Sequence, residues 1–287
     1  MIFPTISIVM PSFNQGKYIE EAIKSILTQD YPELEFLILD GGSTDGTQEI
    51  ISKYTENIYY WHSQPDEGQV DALIQGFKKA SGSLLGWINS DDVLLKGSLK
   101  RIAHAYMENP QAGMFGGDYV IIDEHGRIIR FKKHTKYAAW FGRHGLQVIS
   151  PDWFFTRAAY QEVGGLNPSY QYDMDTDLFY RMVLMGIKFT YIESDLMCFR
   201  LHQESKTITR ENAFHYDFVL MSQIFNDSNW MIKRRLIKYL YWTLQTVNGN
   251  YLKSYIKTVR YRRYCWRKFE NSNNFYFSAG NTYFKSE

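Results

Sequence analysis

The chain has 287 residues, 45% of them apolar and 17% aromatic, which is enough for one large domain with or without an appendage. The formal net charge of +1 conceals an asymmetry, because residues 228–287 hold 12 Lys or Arg against two Glu, while the rest of the chain holds 20 against 29 acids. The sequence has neither a signal-peptide pattern nor an apolar run of membrane-spanning length, so a soluble, cytoplasmic protein with two regions of different partners is expected.

Strand and helix signals alternate through the first hundred residues. Short apolar runs that end in turn residues predict strands at 6–10, 34–39, 58–61 and 84–88. Apolar residues at helical spacing predict helices at 18–27, after Ser43-Thr44-Asp45, and at 69–80. This alternation predicts an α/β fold with a doubly wound, mostly parallel sheet flanked by helices. Ligands of such sheets bind beyond the carboxyl ends of the strands, which is where Pro11, Asp40, Asp66 and Asp91-Asp92 fall.

The middle of the chain has a different pattern. Residues 114–123 and 127–132 flank Glu124-His125-Gly126 and predict a β-hairpin. An aromatic, glycine-containing stretch at 136–145 predicts a loop. Two helices and then a strand are expected at 154–163, 177–185 and 189–192.

The last part of the chain, from about Asn212, has a helical pattern, and Asn248-Gly249-Asn250 is expected to join two helices into an αα-hairpin. We therefore expect a domain at 1–211 and a helical, basic and aromatic region at 212–287. Two interpretations of this region are open: it binds an anionic membrane surface, or it packs its aromatic rings on the main domain and exposes its basic side chains to solvent. No nucleic-acid partner is expected. Cys198 and Cys265 lack the spacing of a zinc site or a disulfide framework and are expected to be reduced.

Carboxylates follow two of the predicted strands. Asp40 precedes two glycines, which allow close approach of a ligand, and it can accept hydrogen bonds from a pyrimidine NH or ribose hydroxyls. Asp91 and Asp92 suit Mg²⁺ or Mn²⁺ bound together with diphosphate oxygens. In both places a turn-capping Asp is the alternative interpretation. Neither GxGxxG nor GxxxxGK[ST] occurs, which disfavours the usual NAD and ATP sites.

A third acidic cluster, Asp173, Asp175 and Asp177, lies ahead of an amphipathic helix. The helix dipole favours acids there, so one of them can be structural, but mutual repulsion can raise a carboxyl pKa toward that of a general base. Local sequence leaves the choice among the three open. His202, in CFRLHQESKT, is a candidate ligand of a metal or phosphate, or else a histidine at the edge of the core.

Five segments in order resemble those of the family 2 glycosyltransferases, which have the GT-A fold. They cover most of residues 4–210 and read ISIVMPSFNQGKYIEEAIKSILTQ, FLILDGGSTDGT, QPDEGQVDALIQGFKKASGSLLGWINSDD, VGGLNPSYQYDMDTDLFYRM and FRLHQESKT. The resemblance implies that Pro11 and Phe13 lie against a nucleotide base and that Asp40 contacts the base or the ribose.

The same resemblance assigns roles to five further residues. Asp66 is implied to lie beside the nucleotide and the donor sugar, and Asp91 is implied to contact the ribose or the sugar. Asp92 is implied to bind the metal that bridges the diphosphate, with His202 close to it. Asp175 is implied to be the catalytic base.

The implied function is inverting transfer of a sugar from a nucleotide donor, a UDP-sugar, to a hydroxyl of a glycan or lipid-linked acceptor. A divalent cation, Mn²⁺ or Mg²⁺, would assist, and the protein would work in the cytoplasm, peripherally at the inner face of the cell membrane, in bacterial envelope or polysaccharide assembly. A sugar-nucleotide pyrophosphorylase and a non-catalytic nucleotide- or glycan-binding module are the alternatives. The first should carry a glycine-rich loop with a basic residue near its amino end, for which PSFNQGK is a poor match.

Overall fold

Four parallel strands form one half of a nine-stranded sheet in the computed structural model, which describes residues 3–144, 153–170, 172–205, 230–261 and 266. These strands are β1 (Ile6–Ser12), β2 (Leu34–Asp40), β3 (Tyr60–Ser63) and β4 (Leu84–Trp87). Their order across the sheet is β3-β2-β1-β4, so the chain reverses its winding direction beside β1. The predicted α/β, doubly wound architecture is confirmed.

Helices cover both faces of this half of the sheet. They are α1 (Ile19–Leu27), α2 (Thr47–Ser52), α3 (Gln69–Lys79) and α4 (Ser98–Glu108). Because successive side chains of a strand point to opposite faces, Ile8 packs in the core that α1 and α4 cover, whereas Val9 packs in the core under α3. Every residue of β1 is buried, as expected for a strand between two layers of helices.

The second half of the sheet mixes strand directions. Its strands are β5 (Val93–Leu94), β6 (Ala112–Ile122), β7 (Ile128–Lys132), β8 (Phe154–Thr156) and β9 (Lys188–Arg200). β8 lies antiparallel between β4 and β6, β6 pairs with β7 as the predicted hairpin, and β9 runs parallel to β6 and antiparallel to β5. β9 is much longer than the predicted strand at 189–192, because irregularities in its register with β6 accommodate the polar Glu193-Ser194-Asp195 segment.

Three helices differ from the sequence-based expectation. They are α5 (Ala138–Arg143), α6 (Arg157–Glu162) and α7 (Met174–Leu184). The loop predicted at 136–145 is wrong, since burial of Ala138 and Phe141 beside α7 favours a helix there. The helix predicted from residue 154 begins only after β8, where the Thr156 side chain accepts a hydrogen bond from the Ala159 N–H at 3.1 Å. α7 begins before residue 177, so Asp175 lies in its first turn.

The predicted αα-hairpin is present as α8 (Trp230–Val247) and α9 (Asn250–Tyr261). α9 packs on β7. The expected onset of helix near Asn212 lies outside the described residues, and the domain boundary at 211/212 stays a prediction. None of the helices in the described part of the chain has the length and apolarity needed to cross a bilayer. Cys198 is buried, and Cys265 lies outside the described residues.

Gly142 allows close packing between α5 and α7, since a Cβ atom there would lie 2.6 Å from Cε1 of Phe179. Gly142→Ala should therefore lower the free energy of unfolding by about 1–3 kcal/mol, although alanine is the better helix former. Urea denaturation measures the change. In a Phe179→Leu background, which lacks that ring atom, the loss should shrink, and an undiminished loss would contradict the packing explanation.

Candidate active site

A cavity of about 880 Å³ opens where β1 and β4 end, between the start of α3, the start of α7 and the end of β9. Five of the predicted site residues are among the described residues that line it: Pro11, Phe13, Asp66, Asp91 and Asp175. Three others are buried and are not among those lining residues: Asp40, Asp92 and His202.

Phe13 presents its ring to this cavity from a loop whose backbone is fixed. The ring is 61% exposed. The neighbouring Asn14, at a positive φ of 51°, donates its N–H to Ser43 Oγ at 2.7 Å and accepts the Thr44 N–H at 3.0 Å. These bonds fix the backbone next to Phe13, so the exposed ring is carried at a defined place beside the cavity. Such a ring is suited to stacking on a planar ligand.

Asp40 is fully buried at the end of β2, and its carboxylate is occupied by protein donors. It accepts hydrogen bonds from the Ser43 N–H at 2.9 Å and from the hydroxyls of Ser43 and Ser63 at 2.5 Å each. These contacts offset the cost of burying the charge and fix the turn after β2. The next residue, Gly41, reaches the cavity, where a Cβ atom would lie 3.1 Å from the Asp66 carboxylate.

The adjacent acids Asp91 and Asp92 have different environments. Asp91 lines the cavity, and its Oδ2 lies 2.9 Å from Nε2 of His202. Asp92 is 1% exposed and accepts the Arg200 N–H at 2.8 Å and the Asn89 side-chain amide at 3.1 Å. Burial, together with the negative charge of Asp91, raises the pKa of Asp92 well above its usual range.

The three acids near α7 also divide into two kinds. Asp177 is 1% exposed and forms a two-pronged ion pair with Arg181, with oxygen–nitrogen distances of 2.9 and 2.5 Å. Asp173 and Asp175 both line the cavity. The ion pair accounts for Asp177 as a structural residue, so the two acids on the cavity wall are the candidates for a base.

Sequence reasoning missed several residues of this region. Arg200 lines the cavity and contacts the backbone of Asp91 through its guanidinium, with Nε donating to the carbonyl oxygen at 2.8 Å. Asn89 accepts a hydrogen bond from Gln69 at 2.8 Å, and both line the cavity. The sequence offered one indication that Arg200 belongs to the site. It lies two residues before His202, and residues two apart on an extended chain share a face.

The residues around Asp91 fit a divalent cation that takes only one or two ligands from the protein and the others from phosphate and water. No cluster of three or more His, Cys, Asp or Glu side chains arranged to hold a metal occurs within the described residues. The carboxylate of Asp91 and the imidazole of His202 lie within contact distance of each other beside the cavity. Mg²⁺ and Mn²⁺ accept one or two protein ligands of these types when phosphate oxygens and water complete the shell.

Comparison with known proteins identifies the family. Residues 7–164 match the sequence profile of glycosyl transferase family 2, which is more than half of the chain. The chain belongs to glycosyl transferase family 2. The match includes the strand that ends in Asp40 and the turn that holds the Asp91-Asp92 pair.

Relatives in glycosyl transferase family 2 match part of their own length. An uncharacterized glycosyltransferase of Rickettsia felis is 27% identical over 227 residues, which is 73% of this chain and 36% of that protein. TuaG of Bacillus subtilis, whose name assigns it to teichuronic acid biosynthesis, is 32% identical over 126 residues, which is 43% of this chain and 50% of TuaG. The chain thus spans about a third to a half of the length of these two relatives.

Solved structures share the fold at low sequence identity. TarS of S. aureus, residues 1–349 in complex with UDP-GlcNAc, has a TM-score of 0.65 and 18% identity, covering 87% of this chain and 76% of that one. The mannosyltransferase PcManGT of Pyrobaculum calidifontis, in complex with GDP-Man and Mn²⁺, has a TM-score of 0.55 and 17% identity, covering 71% and 59%. These similarities support the GT-A-like architecture.

The ion pair between Asp177 and Arg181 predicts a difference in stability between two neighbouring acids. Asp177→Asn should lower the free energy of unfolding by about 2–4 kcal/mol, because it leaves a half-buried guanidinium without its anion. Asp175→Asn, in the same turn of α7, is the matched control and should cost much less. Urea denaturation of both variants measures the difference, and equal losses would show that the ion pair is not what stabilises this turn.

Proposed function

We propose that this chain transfers a sugar from a nucleoside diphosphate to a hydroxyl group of an acceptor, with inversion at the anomeric carbon. The proposal depends on the lining of one cavity, which combines the exposed Phe13, the Asp91 carboxylate beside His202, and Asp173 and Asp175. Phe13 suits the nucleotide base, Asp91 and His202 suit a cation at the diphosphate, and Asp173 or Asp175 suits the acceptor hydroxyl.

The donor that we propose is a UDP-sugar. Support comes from TarS, whose solved complexes contain UDP-GlcNAc and UDP. The ring of Phe13, with Pro11 beside it, offers a stacking face for the base, and Asp66 offers a carboxylate for ribose or sugar hydroxyls. A contact between Asp40 and the base or ribose is part of this proposal. It requires Ser43 or Ser63 to give up a hydrogen bond to that carboxylate.

A divalent cation, Mn²⁺ or Mg²⁺, would neutralise the charge that develops on the departing diphosphate. The Mn²⁺ complex of the Pyrobaculum protein supports this part of the proposal. Asp91 and His202 are the ligands that we propose from the groups beside the cavity. Asp92, the ligand implied by the family resemblance, would have to exchange its bonds to Arg200 and Asn89 for a bond to the cation.

The base that we propose is Asp175. Its carboxylate would take the proton of the acceptor hydroxyl while the hydroxyl oxygen forms a bond to the anomeric carbon. The bond between that carbon and the diphosphate oxygen breaks in the same step, and the electron pair leaves with the diphosphate. Asp173 is the alternative base, because it also lines the cavity.

The base assignment predicts a loss of turnover without a loss of donor binding. Asp175→Asn should lower kcat by roughly 10²–10⁴-fold, since the amide cannot accept the proton. The affinity for UDP in the presence of Mn²⁺, measured by calorimetry, should stay near that of the parent protein. Asp173→Asn is the matched variant: if it alone abolishes turnover, Asp173 is the base, and if both retain it, neither is.

The α8–α9 hairpin leads us to propose a peripheral membrane association and a lipid-linked acceptor. α9 makes polar contacts with the domain: Thr258 Oγ1 accepts the Phe131 N–H at 3.2 Å, and Lys257 forms an ion pair with Asp195, while Tyr261 at its end packs on Phe131. Its apolar side is outward, with Leu252 and Ile256 62% and 57% exposed. This orientation is the reverse of that of an amphipathic helix on a monomeric soluble domain.

Large apolar and aromatic side chains are exposed along the whole hairpin. Ile237, Tyr241 and Leu244 of α8 pack on the core. The exposed group, which we call the hairpin face, consists of Leu236, Tyr239, Leu240, Trp242, Val247, Tyr251, Leu252, Tyr255, Ile256 and Val259. An accumulation of large exposed apolar side chains on two adjoining helices is typical of a contact site.

The charge of the hairpin favours an anionic lipid surface as the occupant of the hairpin face. Residues 230–261 contain no Asp or Glu. Five exposed cations accompany the face: Lys233, Arg235, Lys238, Lys253 and Arg260. A second copy of the chain would bring like charges together, whereas anionic headgroups attract each cation by about 1 kcal/mol. Apolar side chains flanked by Lys and Arg are typical of helices that lie in a membrane interface.

This proposal predicts binding to vesicles that contain an anionic lipid. The protein should co-sediment with phosphatidylcholine vesicles that include phosphatidylglycerol, more weakly with pure phosphatidylcholine, and less at high salt. The double variant L252Q/I256Q should lose most of this binding, while M185Q, which changes an exposed apolar residue at the end of α7, should not. Equal sedimentation with both vesicles, or an L252Q/I256Q variant whose only change is dissociation of a dimer in light scattering, would contradict it.

A further inference from the structure

Arg200 contacts both acids of the Asp91-Asp92 pair from the end of β9. Its main-chain N–H donates to Asp92 Oδ1 at 2.8 Å, and its Nε donates to the Asp91 carbonyl oxygen at 2.8 Å. The residue is only 2% exposed, although its surface forms part of the cavity wall. One residue therefore fixes the side chain of Asp92 and the backbone of Asp91, and the two acids are held as a unit.

The guanidinium of Arg200 is itself held by Glu21 of α1. Nη2 of Arg200 and Oε2 of Glu21 are 2.5 Å apart. The other carboxylate oxygen of Glu21 accepts the indole N–H of Trp266 at 3.2 Å, and the Trp266 main-chain N–H donates to the Gly126 carbonyl oxygen at 3.0 Å. Trp266 is buried among apolar residues that include Val93, which follows the acid pair directly. The carboxylate of Glu21 thus connects the C-terminal part of the chain to Arg200.

Aromatic contacts link the same arginine to His202. The ring of Tyr18 lies 5.0 Å from the guanidinium carbon of Arg200 and 4.7 Å from the imidazole of His202. His202 in turn contacts Asp91 at 2.9 Å. A planar guanidinium with fixed donors suits this arrangement, because it can stack on Tyr18, pair with Glu21 and donate to the Asp91 carbonyl at the same time. A lysine has the charge but not this geometry.

We propose that Arg200, fixed by Glu21 and Trp266, is a positioning residue that holds Asp91 against His202 for cation-dependent binding of the nucleotide donor. The inference rests on the proposed function and deepens it. Arg200 acts through the acids and the histidine. Residues that orient the ligands of a bound cation in this way are worth about 10- to 100-fold in metal affinity or activity.

Two variants test the proposal, with a neighbouring acid as control. Arg200→Lys keeps the charge and the main-chain bond to Asp92 but removes the bond to the Asp91 carbonyl. Glu21→Gln removes the anion that holds the guanidinium, at a position that is less deeply buried than Arg200. Glu20→Gln is the control, because Glu20 lies next to Glu21 on α1 but contacts Lys24 and Tyr54 instead.

The measurements are the affinity for UDP by calorimetry with and without Mn²⁺, the donor KM and kcat, and the midpoint of thermal unfolding. We expect R200K and E21Q each to weaken UDP binding with Mn²⁺ by about 10- to 100-fold and to leave binding without Mn²⁺ little changed. The double variant should lose no more than the larger single loss, since the two residues act as a unit. E20Q should match the parent protein, and Trp266→Phe should show a smaller loss in the same direction as E21Q.

The outcomes separate this inference from the proposed function. If the parent protein binds UDP with Mn²⁺ and both variants bind it equally well, the positioning role is wrong, even when their unfolding midpoints fall. A fall in midpoint alone would make Arg200 a structural residue only. If the parent protein binds neither UDP nor GDP with Mn²⁺, the proposed function is wrong and this inference fails with it. Because Glu21 is less deeply buried than Arg200, the E21Q variant decides the question if R200K does not fold.

Discussion

The burial of two carboxylates, Asp40 and Asp92, is the constraint on which the geometry of the cavity depends. Asp40 is the last residue of β2 and Asp92 directly precedes β5, and both are almost inaccessible to solvent. An unpaired charge in that position would cost several kcal/mol, so the surrounding chain has to bring donors to it. Ser43 and Ser63 do this for Asp40, and Arg200 and Asn89 do it for Asp92. The turns are thereby fixed, and Gly41 and Asp91, the residues next to the buried acids, are presented to the cavity.

The same division of labour recurs in the acidic cluster at α7. Asp177 is buried against Arg181 and anchors the first turn, while Asp175, two residues earlier, reaches the cavity wall. In both clusters a buried acid with protein donors stands beside an acid that faces the ligand space. A reactive carboxylate needs a fixed position, and a neighbouring ion pair or hydrogen-bonded acid fixes the backbone without occupying the reactive group. In each pair of acids, one therefore fixes the backbone and the other faces the cavity.

The sequence predicts the parallel half of the sheet and the cavity edge because both follow from local pattern: apolar runs, turn residues and the rule for open α/β sheets. The ion-pair partner of Asp177 can also be predicted from the sequence, because Arg181 is four residues further along the same helix. The partner of Asp92 cannot be read in this way, because Arg200 is distant in the chain and reaches the acid only through the pairing of β5 with β9. α5 was missed for a related reason: Gly142 weakens the helical pattern, and its close contact with Phe179 becomes visible only when α7 is in place.

The two helices of the hairpin contact the domain differently: α8 packs apolar side chains on the core, whereas α9 makes polar contacts and leaves Leu252 and Ile256 outward. Lys257 forms an ion pair with Asp195, and nearby Lys133 forms one with Asp118. Burial raises the pKa of Asp118 to about 6. Asp195 lies on β9, the strand that also carries Arg200. β9 therefore links the residue that binds α9 to the residue that binds the acid pair. On the proposed function, a lipid-linked acceptor bound at the hairpin face would then be close to a cavity that the same strand connects to that face.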